Sequence, residues 1–400
     1  MLAVAGGTPA VDVRIKQRWP VISEADIEAV TRVLRSGNIC GYVYGGLGGV
    51  AALNGSALEE AIADWVGTKY ALAVNSGTAA LHSAVAACGI GPGDEVITPA
   101  YSFMASAMAI LHHNAAPVFV DIDPQTFTMD VDLARAAVTG RTRAIMPVQI
   151  HGLPADMGPI RELATEYGLK IIEDAAQAYG AEYKGVKAGA LGDIGCFSLQ
   201  QTKHLVGGEG GLITTDDPDL RDRAAMVRLF GEVLPADSAR PYNAYTMGWN
   251  YRIPEMSAAL ALSQFNRLEE YNSQLIANAE ALSAGLKGIR GLAVPFVPRD
   301  RKHSYYIYRV RIVPEELGVV EELDFIRSAI EYGLTAEGVT VRGWQNTPIP
   351  GQSVFQTLEG YGRGCPWSCP FGGGGGNTLT TRMITPRHKD CWPTLLLSVT

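Results

Sequence analysis

The chain has no long apolar run, no basic tract and few cysteines for its length. No stretch approaches membrane-spanning length, and Met1 to Pro20 lacks the basic start, apolar core and cleavage site of a secretory leader. It therefore reads as soluble and untargeted, with no membrane partner. The six cysteines (Cys40, Cys88, Cys196, Cys365, Cys369, Cys391) are scattered, unlike the dense spacing of a disulfide-stapled secreted domain. Reduced thiols in a cytoplasmic setting are expected. Cys365 and Cys369 are close enough to suggest half a zinc site, but no second close Cys/His pair accompanies them, so a structural turn is the better reading and no metal is expected. Thirty-three basic residues stand against 41 acidic ones, for a net charge of -8, and no Lys/Arg cluster breaks the balance. That argues against nucleic acid as a partner.

What is present is a large apolar inventory: 400 residues at 47% hydrophobic content are too many for one small core and suit a large domain with a smaller one appended. Short β-rich runs recur at residues 71–75, 95–98, 118–122, 144–149, 170–173, 195–199 and 211–214. Stretches of helical spacing at 78–88, 103–113 and 160–167 lie between them. An α/β fold is the consequence, with a mostly parallel sheet covered on both faces and ligands expected beyond the carboxyl ends of its strands. Farther on, 253–271 and 272–286 read as long helices, 305–313 alternates like a strand and 321–338 looks helical. The spacing places a domain boundary near Leu286, giving a large domain over 1–286 and a smaller C-terminal one over 287–400. The five glycines Gly372 to Gly376 suit a flexible loop, and no internal repeat is evident.

Three segments can carry chemistry. In Asn75-Ser76-Gly77-Thr78-Ala79-Ala80-Leu81, after a strand and opening a helix, first-turn amides and the Ser76 and Thr78 hydroxyls would suit a phosphate. An ordinary helix cap is the competing reading. In Ile171-Ile172-Glu173-Asp174-Ala175-Ala176-Gln177, an acid at a strand's carboxyl end can hold a pyridine nitrogen protonated, or can simply cap a helix. In Phe197-Ser198-Leu199-Gln200-Gln201-Thr202-Lys203-His204, Lys203 lies past a strand end and before the turn Gly207 to Gly211, where an amine can form a Schiff base. A surface lysine is the competing reading there, and His204 is expected to be a packing residue.

Together these segments resemble the DegT/DnrJ/EryC1/StrS family of aminotransferases that depend on pyridoxal 5'-phosphate (PLP). The marks are Ser76 to Leu81, Glu173 to Gln177, Phe197-Ser198 with Lys203, Gly208 to Gly211, and Gly248-Trp249-Asn250-Tyr251-Arg252, over about Ile22 to Gly364. The resemblance implies PLP fold-type I. It implies that Lys203 binds the cofactor covalently and later moves the proton, that Asp174 pairs with the pyridine nitrogen and that Gln177 lies near the ring. It also implies that Ser76, Gly77, Thr78 and Ser198 hold the phosphate and that Phe103 stacks on the ring. Asn250 would reach the phosphate of a neighbouring subunit's cofactor, which implies a homodimer with shared sites.

The implied reaction takes an amino group from glutamate or glutamine to a cyclic keto acceptor, through pyridoxamine 5'-phosphate. Leu2 to Pro9 and Ser198 to Lys203 look closer to members acting on cyclitols or aminohydroxybenzoate precursors than to those acting on nucleotide-linked ketosugars. A dehydratase of the same fold is disfavoured, since one branch replaces the lysine by histidine and Lys203 is present; a non-catalytic PLP-binding protein is the reading from another class. Two segments depart from the pattern: residues 39–55 are glycine-rich and loose, and after Phe371 the tail does not match the family's further strand and closing helix.

Overall fold

A computed structural model describes residues 1–11, 19–41, 53–234, 240–318, 323–339, 341–344, 347–362, 366–367, 383–384 and 394–397. Cys365, Cys369, the five-glycine run and Gly45 to Gly49 lie outside them. Helix α1 (Glu24–Ser36) starts in a reciprocal cap, because Ser23 accepts from the Asp26 amide while the Asp26 carboxylate accepts from the Ser23 amide at 2.7 Å. Helix α2 (Asn54–Val66) comes next. Neither is among the helices that the spacing predicts.

From Tyr70 strand and helix alternate: β1 (Tyr70–Val74), α3 (Gly77–Ala87), β2 (Glu95–Pro99), α4 (Ala105–Leu111), β3 (Ala116–Val120), α5 (Val131–Ala137), β4 (Thr142–Ile145), α6 (Met157–Tyr167) and β5 (Lys170–Asp174). A short hairpin, β6 (Glu182–Tyr183) and β7 (Val186–Lys187), precedes β8 (Ile194–Ser198), β9 (Gly211–Thr215) and α7 (Pro218–Arg228). All seven predicted strands are present. The fourth stops at Ile145 rather than Gln149, because Pro147 brings no amide to the ladder.

The C-terminal part adds α8 (Glu255–Phe265), α9 (Leu268–Leu286), β10 (Leu292–Ala293), β11 (Arg301–Lys302), β12 (Tyr308–Ile312), α10 (Pro314–Leu317), α11 (Leu323–Ala336), β13 (Val341–Arg342), α12 (Ser353–Thr357), β14 (Met383–Ile384) and β15 (Thr394–Leu397). The main sheet runs β1-β9-β8-β5-β4-β2-β3-β14. Only β9 opposes its neighbours; the other pairings are parallel. Side-chain alternation covers both faces. Ala71, Ala73, Ile171 and Phe197 pack with α2, α6 and α8, while Leu72, Val74, Ile172 and Cys196 pack with α3, α4 and α7.

Three expectations are corrected. The predicted helix 253–271 breaks between Phe265 and Leu268: Arg267 leaves helical dihedrals, and its guanidinium returns to the buried Asp26 at 2.6 Å. Neutralising a buried carboxylate outweighs two residues of helix. The predicted strand 305–313 begins only at Tyr308, because Tyr305 has φ +53° and the segment before Tyr308 bonds elsewhere. The tail does supply a strand. The apolar run Thr394–Leu397 fills the slot between β12 and β13 in the second sheet, ordered β10-β12-β15-β13.

Candidate active site

The parallel strands end along one edge of the main sheet, and the predicted residues gather there. β1 leads into α3 through Ser76, whose hydroxyl accepts from the Ala79 amide at 3.0 Å. The cap reading of Ser76 is therefore correct for its side chain. The amides of Gly77 and Thr78, in the first turn, have no carbonyl within the helix to receive them. No acidic residue occupies that turn, so the partial positive charge of the helix start is left open. Thr78 is exposed and Ser198, at the end of β8, is buried. Gly77 lies directly against Ser198: a Cβ on Gly77 would come 2.8 Å from the Ser198 Cβ. Gly211 likewise has no room, since its Cβ would fall 2.3 Å from the Ser76 carbonyl oxygen. These contacts form a close-walled cradle made by glycine.

Strand β5 ends in two adjacent buried acids whose surroundings differ. Glu173 accepts from Gln149 Nε2 at 2.8 Å and from the amides of Gly189, Leu191 and Gly192. It staples the 189–192 turn to the sheet. Asp174 points the other way and has fewer donors: Ser106 Oγ at 2.7 Å and the Ala176 amide at 3.2 Å. Burial pushes both carboxyls upward. For Asp174 the Ser106 and Ala176 bonds and the charge of Lys203 act against that rise. Asp174 is the under-compensated acid of the pair, placed where a cationic N–H would complete it.

Ser106 carries no motif and was not singled out from sequence. Its hydroxyl sits 2.8 Å from Ser102 Oγ, so Ser102, Ser106 and Asp174 form a chain, with Ser102 on the loop after β2 and Ser106 four residues on, in the first turn of α4. The i, i+4 serine spacing at the start of α4 is the signal that could have found it. Phe103, between the two serines, is 50% exposed and free to present its ring. Gln177 is buried, and its Oε1 accepts from the His151 amide at 2.8 Å. His151 has φ +58°, and its Nε2 has no hydrogen-bond partner among the described residues. Burial first, then the charges of Arg309 and His303, hold it well below the usual histidine range.

Lys203 is half-buried in the turn after β8, and its amide donates to the Gln200 carbonyl at 2.8 Å. Its Nζ lies 4.2 Å from the centre of the Tyr306 ring. Tyr306 is a second residue that sequence reasoning missed, since it lies in a run that reads as ordinary strand. His204 is buried as expected, with Nε2 3.0 Å from the Ser304 carbonyl, and desolvation lowers it to about 4. Asn250 is exposed, and among the described residues its backbone carbonyl accepts from Asn75 Nδ2 at 3.2 Å, while its side chain makes no hydrogen bond with them. Among the described residues, no group of three or more His, Cys, Asp or Glu is placed to hold a metal, and no helix is long and apolar enough to cross a membrane.

This edge of the sheet carries a carboxylate, an amine and a glycine-walled cradle on a doubly covered α/β scaffold, and the chain is similar to known proteins. GDP-perosamine synthase of Caulobacter vibrioides is 43% identical over 257 residues, covering 64% of this chain and 68% of that protein. L-glutamine:2-deoxy-scyllo-inosose aminotransferase of Streptomyces fradiae is 37% identical over 372 residues, 90% of this chain and 85% of that one. The Streptococcus pneumoniae protein Spr1654, solved in PLP and PMP forms, superposes with a TM-score of 0.75 at 25% identity; in the PLP form 86% of this chain and 88% of that one are covered. Fold and likeness define the class, an aminotransferase of PLP fold-type I. The chain belongs to the DegT/DnrJ/EryC1/StrS aminotransferase family, whose profile matches residues 20–369.

Proposed function

We propose that the chain moves an amino group from glutamate or glutamine to a cyclic keto substrate, a cyclitol or ketosugar, in the making of an aminocyclitol or amino sugar, and that PLP is its cofactor. The observation that carries this is Asp174, a buried and under-compensated carboxylate at a strand end whose charge is coupled to Lys203. The names of the Caulobacter and Streptomyces relatives support the substrate class.

The residues fit the cofactor. Gly77 and Ser198 close on each other where a side chain would block a phosphate, and the Gly77 and Thr78 amides open toward it beside Ser76. Asp174 would hold the ring nitrogen, Phe103 would cover the ring, Gln177 would lie beside it and Lys203 would hold it covalently. When bound, PLP supplies an electron sink for the carbon that loses its proton. The protein's part is to keep Asp174 ionised, to exclude water and to offer the Lys203 amine as the base that takes and returns that proton. Ser106 and the Ala176 amide serve the first task by favouring the charged form of Asp174.

Asn250 is exposed where a second copy could use it, and a homodimer with shared sites would give its side chain a partner that the described residues of one chain do not. Residues 1–286 are taken as the cofactor-binding domain and 287–400 as the smaller one, in a cytoplasmic protein. The test is the absorption spectrum of the purified protein with PLP: a visible band that bleaches on adding glutamate or glutamine supports the reading. A protein that binds PLP yet is inert to both donors and to a panel of keto-cyclitols and ketosugars refutes it.

A further inference from the structure

Lys203 forms no ion pair among the described residues, although its charge acts on Asp174, and its ammonium meets an aromatic face. Nζ stands 4.2 Å from the centre of the Tyr306 ring, within the range where a cation is held by the ring quadrupole. The ring is itself fixed. Thr202 spends its one hydroxyl proton on Gln200 Oε1 at 2.6 Å, so the Tyr306 phenol, 2.9 Å from Thr202 Oγ1, is the donor of that second bond. Tyr306 is thereby tied to the residue immediately before the lysine. The His204 ring also lies near it, 5.8 Å away and tilted.

The backbone that delivers Tyr306 is equally constrained. Before β12 begins, the chain departs from strand geometry and crosses to the main sheet's loops, where the Ser304 amide donates to the Gly152 carbonyl at 2.9 Å and the Ile307 amide to the His151 carbonyl at 3.3 Å. The contact is so close that residue 152 must be glycine: at φ +99°, a Cβ there would lie 2.6 Å from Ser304 Oγ and 3.0 Å from the Tyr305 amide nitrogen. The His204 ring makes the third tie, to the Ser304 carbonyl. A strap one hundred residues downstream is thus pinned on both sides of Tyr306 and sets its ring over one amine.

We infer that Tyr306 is a positioning residue for Lys203: its ring holds the released lysine at the working place as the ammonium that forms when the amine takes the substrate proton, until that proton is returned. This rests on the reading of Lys203 as the cofactor-binding amine. In transamination the lysine is released when the donor's amine takes its place, and only then must it act as a base. An amine left to wander on four methylenes would have to be recaptured for each proton transfer; a ring face limits that search. Because the ring favours the released form, it does not strengthen cofactor binding. Its loss should slow proton transfer without loosening PLP.

The experiment uses the full-length protein as wild type, Tyr306→Leu, Tyr306→Gln and Tyr306→Phe. Three quantities are measured: PLP affinity of the apoenzyme by visible absorbance, the site of borohydride trapping by peptide mass mapping, and the single-turnover rate of bleaching by the amino donor. Expected is trapping at Lys203 in every variant and PLP affinity equal to or tighter than wild type. The bleaching rate should fall about three- to thirtyfold in the two ringless variants, the worth of a cation held on a ring face. Tyr306→Phe, which keeps the ring and loses only the bond to Thr202, should recover most of that loss. Ringless variants that bleach at the wild-type rate overturn the inference, and so does a parallel loss of PLP affinity, thermal midpoint and rate, which would mark Tyr306 as merely structural. Wild-type trapping on a different lysine overturns the reading of Lys203 and this inference with it.

Discussion

Acid should unfold this protein early, and the cause is a set of histidines folded away as neutral rings. His82, His204 and His303 are buried, and desolvation as the largest cause lowers them to about 3, about 4 and about 3 respectively. His82 faces His112, His113, Trp249 and Tyr251, with no acid among these ring contacts; its Nδ1 is 3.0 Å from the Tyr251 hydroxyl. His303 stacks on Tyr305 and feels the charge of Arg309, while His204 meets Tyr306 and feels Lys203. The Ser304 and Gly152 carbonyls favour a proton on His204 and His303, but burial outweighs them. Above pH 6.5 each ring is neutral both folded and unfolded, and pH has no leverage through it. Below pH 6.5 the unfolded chain takes up protons that the folded chain refuses, so stability falls as pH falls, down toward the folded values. At about pH 5.5 the linkage costs about 1.4 kcal/mol per histidine, or roughly 4 kcal/mol for the three, a large share of an ordinary domain's stability. Glu173 and Asp174, both raised by burial, act in the opposite sense, over the window from their raised folded values down to the ordinary carboxylate range. Urea unfolding of the apoenzyme at fixed protein concentration, at about pH 7.5 and about pH 5.5, measures the difference. His82→Gln should remove about 1.4 kcal/mol of it, since glutamine cannot titrate, while His151, also held well below the usual histidine range, adds to the slope that remains. A stability flat between the two pH values, or a variant with the full wild-type slope, would refute the reasoning.

The other predictions concern the site. Asp174→Asn should keep the fold and bind PLP, yet transaminate at least roughly a hundredfold more slowly, as when one placed electrostatic stabiliser is removed; steady-state kinetics with the amino donor decides it. Ser106→Ala removes the shortest hydrogen bond that favours ionised Asp174, so the acid limb of the pH–rate profile should move to higher pH while the alkaline limb stays put. Gly77→Ala forces a methyl against Ser198 and should lower the unfolding free energy by about 1 to 3 kcal/mol while weakening PLP retention in equilibrium dialysis. Mixing inactive Lys203→Ala and Asn250→Ala chains under subunit exchange should restore activity if sites are shared between copies; a fully active Asn250→Ala chain would end that assignment before any mixing.

How much of the molecule is readable in its sequence depends on whether a residue's environment is local. Seven of the main sheet's eight strands are legible because both faces are buried, so Ile171 and Ile172 or Ala71 and Leu72 must all be apolar, and turn residues punctuate them. Asp174, at a strand end, and Lys203, in the turn after one, can be singled out because each lies inside a dense local motif. Where a distant segment decides, the pattern is silent. Nothing local says that Arg267 will leave its helix for Asp26, 241 positions away. Nothing near Thr394 says that Leu395 to Leu397 will complete a sheet begun at Tyr308.

The same division separates Asp174 from its neighbour. Spacing alone makes Glu173 and Asp174 equal candidates, two acids in succession at a strand's end. Strand alternation turns them to opposite sides, and what each then meets comes from remote segments. Glu173 is met by Gln149 and three amides of the 189–192 turn, a set of donors that leaves it no chemical task beyond fastening that turn. Asp174 is met by Ser106, one amide and the field of Lys203, and so remains a buried charge short of one cationic partner. That deficit makes it the acid suited to a protonated ring nitrogen, because a fully satisfied carboxylate would gain little by binding one and an unsatisfied one gains the most.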